Sequence, residues 1–458
     1  MTAKLIAGCL TACLLTAQLP GCSFSGSVES MLSPPRLTVE QEQIYQALQQ
    51  SIGSQISLKY PKSGERLSAF IVDDLDGDGS DEAVVFYEFG RDSLNENRLR
   101  ISLFDQKEGE WTAVDHIPAA GAEIDRVDIE RLGRNPRQNL IIRYSMVDGF
   151  EHAVQVLHYE NGELAENLKK PYSVMELRDL DGDGTTEVLI AAAAKDSEPA
   201  TAFVYEMDEN GNYPEMPASR RLSDTMTDVT RIAYGNLPTG RGQETIPAIY
   251  MDGITGATTV QTVVLNYSDE TLSLLYADSP ERYPKTERSG GALTMDIDDD
   301  GEAEIPVRFA FYDQSVLPEA VAPKMTNWYV CRNKLLMREY SSYYSAQDGF
   351  VFLLPKRWEG SVTARLENDE IVFWSFEQPS APAWTETEDS AHSEAVLLEP
   401  LLRLAVVSDP VAADAMQSDG YLLLQQKNSR YYLGKIGDVS RSMRLTPSEL
   451  LVSMRFLQ

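Results

Sequence analysis

The sequence predicts a mainly β protein: a β-propeller of about five four-stranded blades, followed by a small C-terminal α+β domain. Three observations lead there. Strand-like runs recur in a register marked by Glu82, Asn139, Glu187, Glu244 and Glu304, spaced 57, 48, 57 and 60 residues apart. Each marker opens a compact apolar run, from Ala83–Tyr87 to Ile305–Phe309, and third and fourth strand-like runs follow it. A period near fifty with four strands per unit is the mark of propeller blades. Three of the five units also carry the same acidic nonapeptide, ending at the marker. A row of independent modules is disfavoured, because no linkers separate the units and one four-stranded sheet buries little apolar surface alone.

The elements follow in order. Residues 1–21 read as an export signal, with Lys4 as its positive region and an apolar stretch over 5–17 that is shorter than the ~20 residues needed to cross a bilayer. Leu19-Pro20-Gly21-Cys22 resembles the lipobox of bacterial lipoproteins, which implies a diacylated Cys22 and a chain held on the extracytoplasmic face of the cell membrane. Residues 22–37, Ser-rich and ending near Pro34-Pro35, read as a tether. Residues 38–65 form a lead-in. There Thr38 caps a helix with Gln41 at its third position, and Ile44, Tyr45, Leu48 and Ile52 share one face. The blades occupy 66–344.

Beyond residue 344 the rhythm stops, and 345–458 read as strands with two short helices. One helix falls near 409–417. Another starts at Thr446-Pro447-Ser448-Glu449, a capping box with Pro at its first position, and carries Leu450, Leu451, Met454 and Leu457 on its apolar face. Of the four cysteines, Cys9 and Cys13 leave with the signal and Cys22 is the lipidation site, so Cys331 remains as a buried structural thiol without a disulfide partner. The formal charge of −31 argues against nucleic acid and anionic headgroups as partners.

The acidic loops carry the clearest chemistry. They are Asp74-Leu-Asp76-Gly-Asp78-Gly-Ser80-Asp-Glu82, Asp179-Leu-Asp181-Gly-Asp183-Gly-Thr185-Thr-Glu187 and Asp296-Ile-Asp298-Asp-Asp300-Gly-Glu302-Ala-Glu304. Each sets carboxylates at positions 1, 3, 5 and 9 and Gly at 6, and the carbonyls of Ser80, Thr185 and Glu302 stand at position 7. Four anions in nine residues repel one another unless a cation sits among them, and hard oxygens around a sharp turn suit Ca²⁺, giving about three sites. An EF-hand needs a carboxylate at position 12 and flanking helices, whereas position 12 here is Val85, Ile190 and Val307 between strands. The second and fourth units put neutral or basic residues in the loop, at 130–138 and 235–243, and are expected to bind no metal.

The strand, acidic loop, strand unit resembles the FG-GAP/VCBS repeat family, whose members include the propellers of integrin α chains and many bacterial surface proteins. The resemblance covers residues 66 to about 340 and rests on the three acidic loops. It implies Ca²⁺ in the loop between the first two strands of a blade. No catalytic motif stands out: the histidines are His116, His152, His158 and His392, and neither a nucleophile elbow nor a phosphate-cradling loop occurs. The leading expectation is therefore a lipid-anchored, calcium-binding surface protein, not an enzyme, that binds an extracellular protein or glycan. The alternative is an envelope enzyme acting on polysaccharide.

Overall fold

A computed structural model describes residues 37–53, 55–89, 98–107, 109–146, 151–238, 244–281, 284–311, 323–377 and 396–457. The expected signal, nearly all of the tether, and Cys22 lie outside them. The described residues are mainly β, in six antiparallel sheets.

Helix α1 (Val39–Ile52) begins as the sequence predicts. The Thr38 hydroxyl accepts the Gln41 N–H, and the Gln41 side chain accepts the Thr38 N–H. The first sheet contains β1 (Ile56–Leu58), β2 (Phe70–Asp73), β3 (Glu82–Phe89), β4 (Leu99–Lys107) and β5 (Glu110–Pro118), with β1 and β2 both pairing the same side of β3. The second runs β6 (Glu123–Glu130), β7 (Asn139–Ser145), β8 (His152–Glu160), β9 (Glu163–Tyr172). The third runs β10 (Val174–Arg178), β11 (Glu187–Ala192), β12 (Ala200–Tyr205), β13 (Ala218–Ser223). The fourth runs β14 (Asp228–Pro238), β15 (Thr245–Ile254), β16 (Thr259–Ser268), β17 (Thr271–Tyr276), and β18 (Arg288–Ser289) pairs with β16. The fifth begins β19 (Ile305–Ala310), β20 (Lys324–Arg332), β21 (Leu335–Ser345), β22 (Phe350–Leu353).

The second strand of each of the first four sheets explains how they stack. Successive side chains of a strand point to opposite faces. In β3, Val84 and Phe86 join the core shared with the second sheet, while Ala83, Val85 and Tyr87 join the core under α1. In β11, Leu189 and Ala191 face the fourth sheet, and Val188 and Ile190 face the second. In β15, Ile249 and Met251 face the third sheet, and Ala248 and Tyr250 face the fifth. Strands buried on both sides read as continuous apolar runs, which is why these segments lack alternation. Among the described residues the buried clusters join sheets that are neighbours in sequence. Ile44 and Leu48 of α1 cover the remaining face of the first sheet. Cys331 lies buried between the fourth and fifth sheets.

The sixth sheet contains β23 (Val362–Glu367), β24 (Glu370–Glu377), β25 (Val396–Val407), β26 (Leu422–Lys427) and β27 (Arg430–Ile436), with α2 (Pro410–Ser418) between β25 and β26. It packs on the fifth sheet through Phe352, Trp358, Phe373 and Leu402. Helix α3 (Pro447–Ser453) opens with the expected capping box, in which Thr446 accepts from the Glu449 N–H at 3.2 Å. It does not continue to Leu457. The chain extends at Met454 into β28 (Met454–Phe456), which pairs with β22 and buries Met454. A main-chain ladder with a buried apolar anchor replaces the last helical turn.

Candidate metal centres

Each acidic loop joins the strand before it to the marker strand, and its ninth residue is the hinge. Glu82 and Glu187 open β3 and β11, and Glu304 precedes β19. All three are buried, at 1%, 1% and 0% exposure. One carboxylate oxygen of each accepts the N–H of position 2: Leu75 at 2.8 Å, Leu180 at 2.8 Å and Ile297 at 2.9 Å. The side chains of those three residues are buried too. Position 9 therefore ties the entrance of the loop to its exit, and in the third unit Glu187 also joins the carboxylate cluster.

Position 1 winds the turn. Asp74 accepts from Gly77 at 2.8 Å and Gly79 at 3.1 Å, and Asp179 accepts from Gly182 at 2.7 Å and Gly184 at 3.0 Å. Asp296 accepts from Asp300 at 3.2 Å and Gly301 at 2.8 Å. The position-6 glycines Gly79, Gly184 and Gly301 have φ of 90°, 90° and 89°, a region open to Gly and costly for other residues. Position 4 also lies at positive φ, at 81° in Gly77, 83° in Gly182 and 62° in Asp299.

This winding brings three carboxylates together in each loop, with oxygens within 4.8 Å of one another: Asp74, Asp76 and Asp78; Asp179, Asp181 and Glu187; Asp296, Asp298 and Asp300. Glu82, Asp183 and Glu304 stand beside these triplets. At position 7, the single Thr185 hydroxyl proton is shared between Asp183 at 2.7 Å and Glu187 at 3.0 Å inside its own cluster, whereas Glu302 pairs with Arg332 at 3.2 Å. Ser80 donates its N–H to Asp78 at 2.7 Å.

The electrostatics of these clusters favour a cation. Burial pushes the carboxyls of Glu82 and Glu187 up to about 7 and that of Glu304 up to about 8, with the neighbouring aspartates adding to the rise. Glu304 Oε1 and Asp298 Oδ1 are buried without a hydrogen-bond partner. Unpaired buried oxygens are costly, and a cation would satisfy them. The donors are all oxygens, which fits a hard divalent ion such as Ca²⁺.

The two loops without carboxylate sets are docked on their neighbours. Gly133 donates to Thr186 O at 2.8 Å and Arg134 to Met207 O at 2.9 Å, so the second unit's loop lies on the third sheet next to its acidic loop. Asn236 donates to Gly301 O at 2.8 Å, joining the fourth unit to the fifth unit's acidic loop. Asn139 replaces the marker Glu, and its amide donates to the carbonyls of Arg137 and Glu130 at 3.3 and 3.4 Å. Residues 239–243 lie outside the described residues. The histidines form no cluster with three ligands among the described residues. His152 meets Asp125 at 3.2 Å and His158 meets Glu160 at 3.3 Å.

A cleft of about 530 Å³ opens where the fourth and fifth sheets meet. Its wall includes Thr259, Lys285, Ser289, Arg308, Phe309 and Lys324. These residues come from separate strands and connections, so no local pattern in the sequence marks them.

No protein-family model matches the chain, and no curated protein matches it. Among solved structures, a rhamnogalacturonan lyase matches at 13% identity and a TM-score of 0.29, over 70% of this chain and 61% of that enzyme, so this chain spans about three-fifths of its length. A rhamnogalacturonan lyase from Bacillus licheniformis matches at 10% identity and a TM-score of 0.27, over 87% of this chain and 93% of the other. An exo-β-1,3-galactanase from Phanerochaete chrysosporium matches at 10% identity and a TM-score of 0.23, over 69% and 77%. These are enzymes of polysaccharides, and the expectation of a non-catalytic binder of a surface partner is corrected on that finding. At such TM-scores the likeness assigns no residue and no reaction to this chain.

Proposed function

We propose that the chain is a calcium-loaded β-propeller of five blades, of the FG-GAP/VCBS type, held outside a bacterial membrane by a lipid on Cys22, and that it is an enzyme acting on polysaccharide. The calcium reading is carried by one observation: the same wound loop recurs in the first, third and fifth units and converges three carboxylates each time. Asp74, Asp76, Asp78 and Glu82 would supply one set of side-chain ligands, Asp179, Asp181, Asp183 and Glu187 the second, and Asp296, Asp298, Asp300 and Glu304 the third. The position-7 carbonyls would complete each set. The propeller reading is supported by the face-to-face succession of sheets with strands buried on both sides. The lipid anchor rests on Leu19–Cys22. On this chain, the feature that bears on a saccharide is the cleft between the fourth and fifth sheets, whose size falls within the ~300–1,000 Å³ of small-molecule sites and whose wall mixes hydroxyls, cations and an aromatic ring.

The test has separate arms. Calorimetric titration should find about three Ca²⁺ per chain, and no uptake at millimolar concentration overturns the metal reading. Incubation with neutral and acidic polysaccharides should release reducing ends, with unsaturated products if the reaction is an elimination. No cleavage of any polymer overturns the enzymatic reading. Cys22→Ala should move the protein from the detergent phase to the aqueous phase on partition, and an unchanged distribution overturns the anchor.

A further inference from the structure

We infer that the cleft between the fourth and fifth sheets binds a carboxylate-bearing saccharide, which would make the substrate an acidic polysaccharide. The inference rests on the polysaccharide reading for its context and on the cleft for its chemistry. The chain carries a formal charge of −31, yet this wall is cationic. Lys285, Arg288, Arg308 and Lys324 line it, against the single carboxylate of Glu287. Arg288 is neutralised: it pairs with buried Asp252 at 2.9 Å and is itself fully buried. The other three cations make no ion pair among the described residues.

Lys285 is exposed at the rim, whereas Arg308 and Lys324 are half-buried. Arg308 is half-buried, and its Nε has no hydrogen-bond partner. Its guanidinium lies 5.7 Å from the centre of the Tyr344 ring, and the Tyr344 hydroxyl is tied to Gly291 O at 2.9 Å. Lys324 starts β20 opposite Ala310, two residues beyond Arg308 on β19, so the two cations sit on paired strands. Lys285 reaches the same cleft from the connection before β18. A guanidinium fork suits a planar carboxylate, and ammonium groups add charge with little demand on geometry. Phe309 and Pro284 offer apolar surface, and Thr259 and Ser289 offer hydroxyls. A bare inorganic anion would leave those unused, whereas a sugar ring with a carboxylate engages both.

The experiment uses the full mature chain at fixed millimolar Ca²⁺ and a uronic-acid trisaccharide, too short to gel with calcium. A neutral galactose trisaccharide and inorganic phosphate run in parallel. The uronic acid should bind at least tenfold more tightly than the neutral sugar, and its affinity should fall as salt rises. Lys285→Glu with Lys324→Glu should weaken it at least tenfold, while Lys170→Glu, on the exposed edge of β9, should change nothing. Arg308→Gln, which keeps a donor but removes the charge, gives a second reading if the double variant melts early. Equal binding of the neutral sugar, preference for phosphate, or undiminished binding by the variants overturns the inference. Uronate binding without cleavage of any polysaccharide leaves the cleft inference standing and removes the enzymatic reading. Cleavage of neutral polymers without uronate binding does the reverse.

Discussion

Withdrawing calcium should destabilise the five stacked sheets as a unit. Extracellular calcium modules bind with Kd of about 10⁻⁴ to 10⁻³ M. At a tenfold excess over Kd, each site adds roughly 1.4 kcal/mol by mass action. Three sites give about 4 kcal/mol, a large part of the ~5–15 kcal/mol of a typical domain. The melting temperature should then fall by on the order of 10 °C in EDTA. The loss should not stay local, because the second and fourth units hang on the acidic loops of their neighbours through Gly133 N–H to Thr186 O and Asn236 N–H to Gly301 O, both 2.8 Å. Calorimetry with and without EDTA is the assay, with calcium counted by titration. Asp76→Ala, Asp181→Ala and Asp298→Ala should each remove about one bound ion, and Arg131→Ala none. A melting curve indifferent to EDTA, together with no calcium uptake, would refute the reasoning and leave the loops as acidic turns.

Three other outcomes follow from particular contacts. Arg288→Ala should cost about 3–5 kcal/mol in urea unfolding, since it strands the buried Asp252 carboxylate, while replacing both partners with apolar residues of similar volume should cost much less. Gly133→Ala should cost more than about 2 kcal/mol and Gly79→Ala only about 1–2 kcal/mol. A Cβ on Gly133 would lie 2.2 Å from Met207 O, whereas one on Gly79 meets nothing within 4 Å. Thr446→Ala should cost about 1 kcal/mol by removing the α3 cap, measured by thermal unfolding. Arg357 beside Glu449 holds that carboxyl down at about 2, below its ordinary value of 4.5, so the cap's charge-dependent share is full above pH 4.5 and fades as pH falls toward 2.

What was legible in the chain was local. The capping residues Thr38 with Gln41 and Thr446 with Glu449 can be read because a cap lies within three residues of its partner. The acidic loops can be read because their ligands sit within nine residues. Position 4 was not, since Asp299 stands in the third loop where the other two have Gly77 and Gly182, and the three share only a positive φ. The boundary expected at 344–345 falls inside β21, and the fifth sheet continues through β22 to β28, because the pairing Ser342–Leu353 outweighs the change in strand rhythm. Cations in the cleft between the fourth and fifth sheets come from residues 285, 308 and 324, which only the pairing of β19 with β20 and the packing of β18 bring together.

The order of loops along the stack has a physical logic of its own. Acidic loops occupy the first, third and fifth units, and loops without the carboxylate set occupy the second and fourth. Two acidic loops on adjacent sheets would set eight carboxylates against each other, and the repulsion would have to be offset by two ions at once. A neutral or basic loop between them removes that coupling. The second unit's loop goes further: hydrogen bonds from Thr185 hold the Asp183 carboxyl below its usual range, and Arg134, which pairs with Glu206 at 2.8 Å, adds a smaller pull from across the boundary. Its backbone also holds the third unit, through Gly133 N–H to Thr186 O and Arg134 N–H to Met207 O. The acidic loops and the docking loops are therefore two solutions to one problem, closing the turn into a strand buried on both faces, and along the sequence no two acidic loops fall in consecutive units.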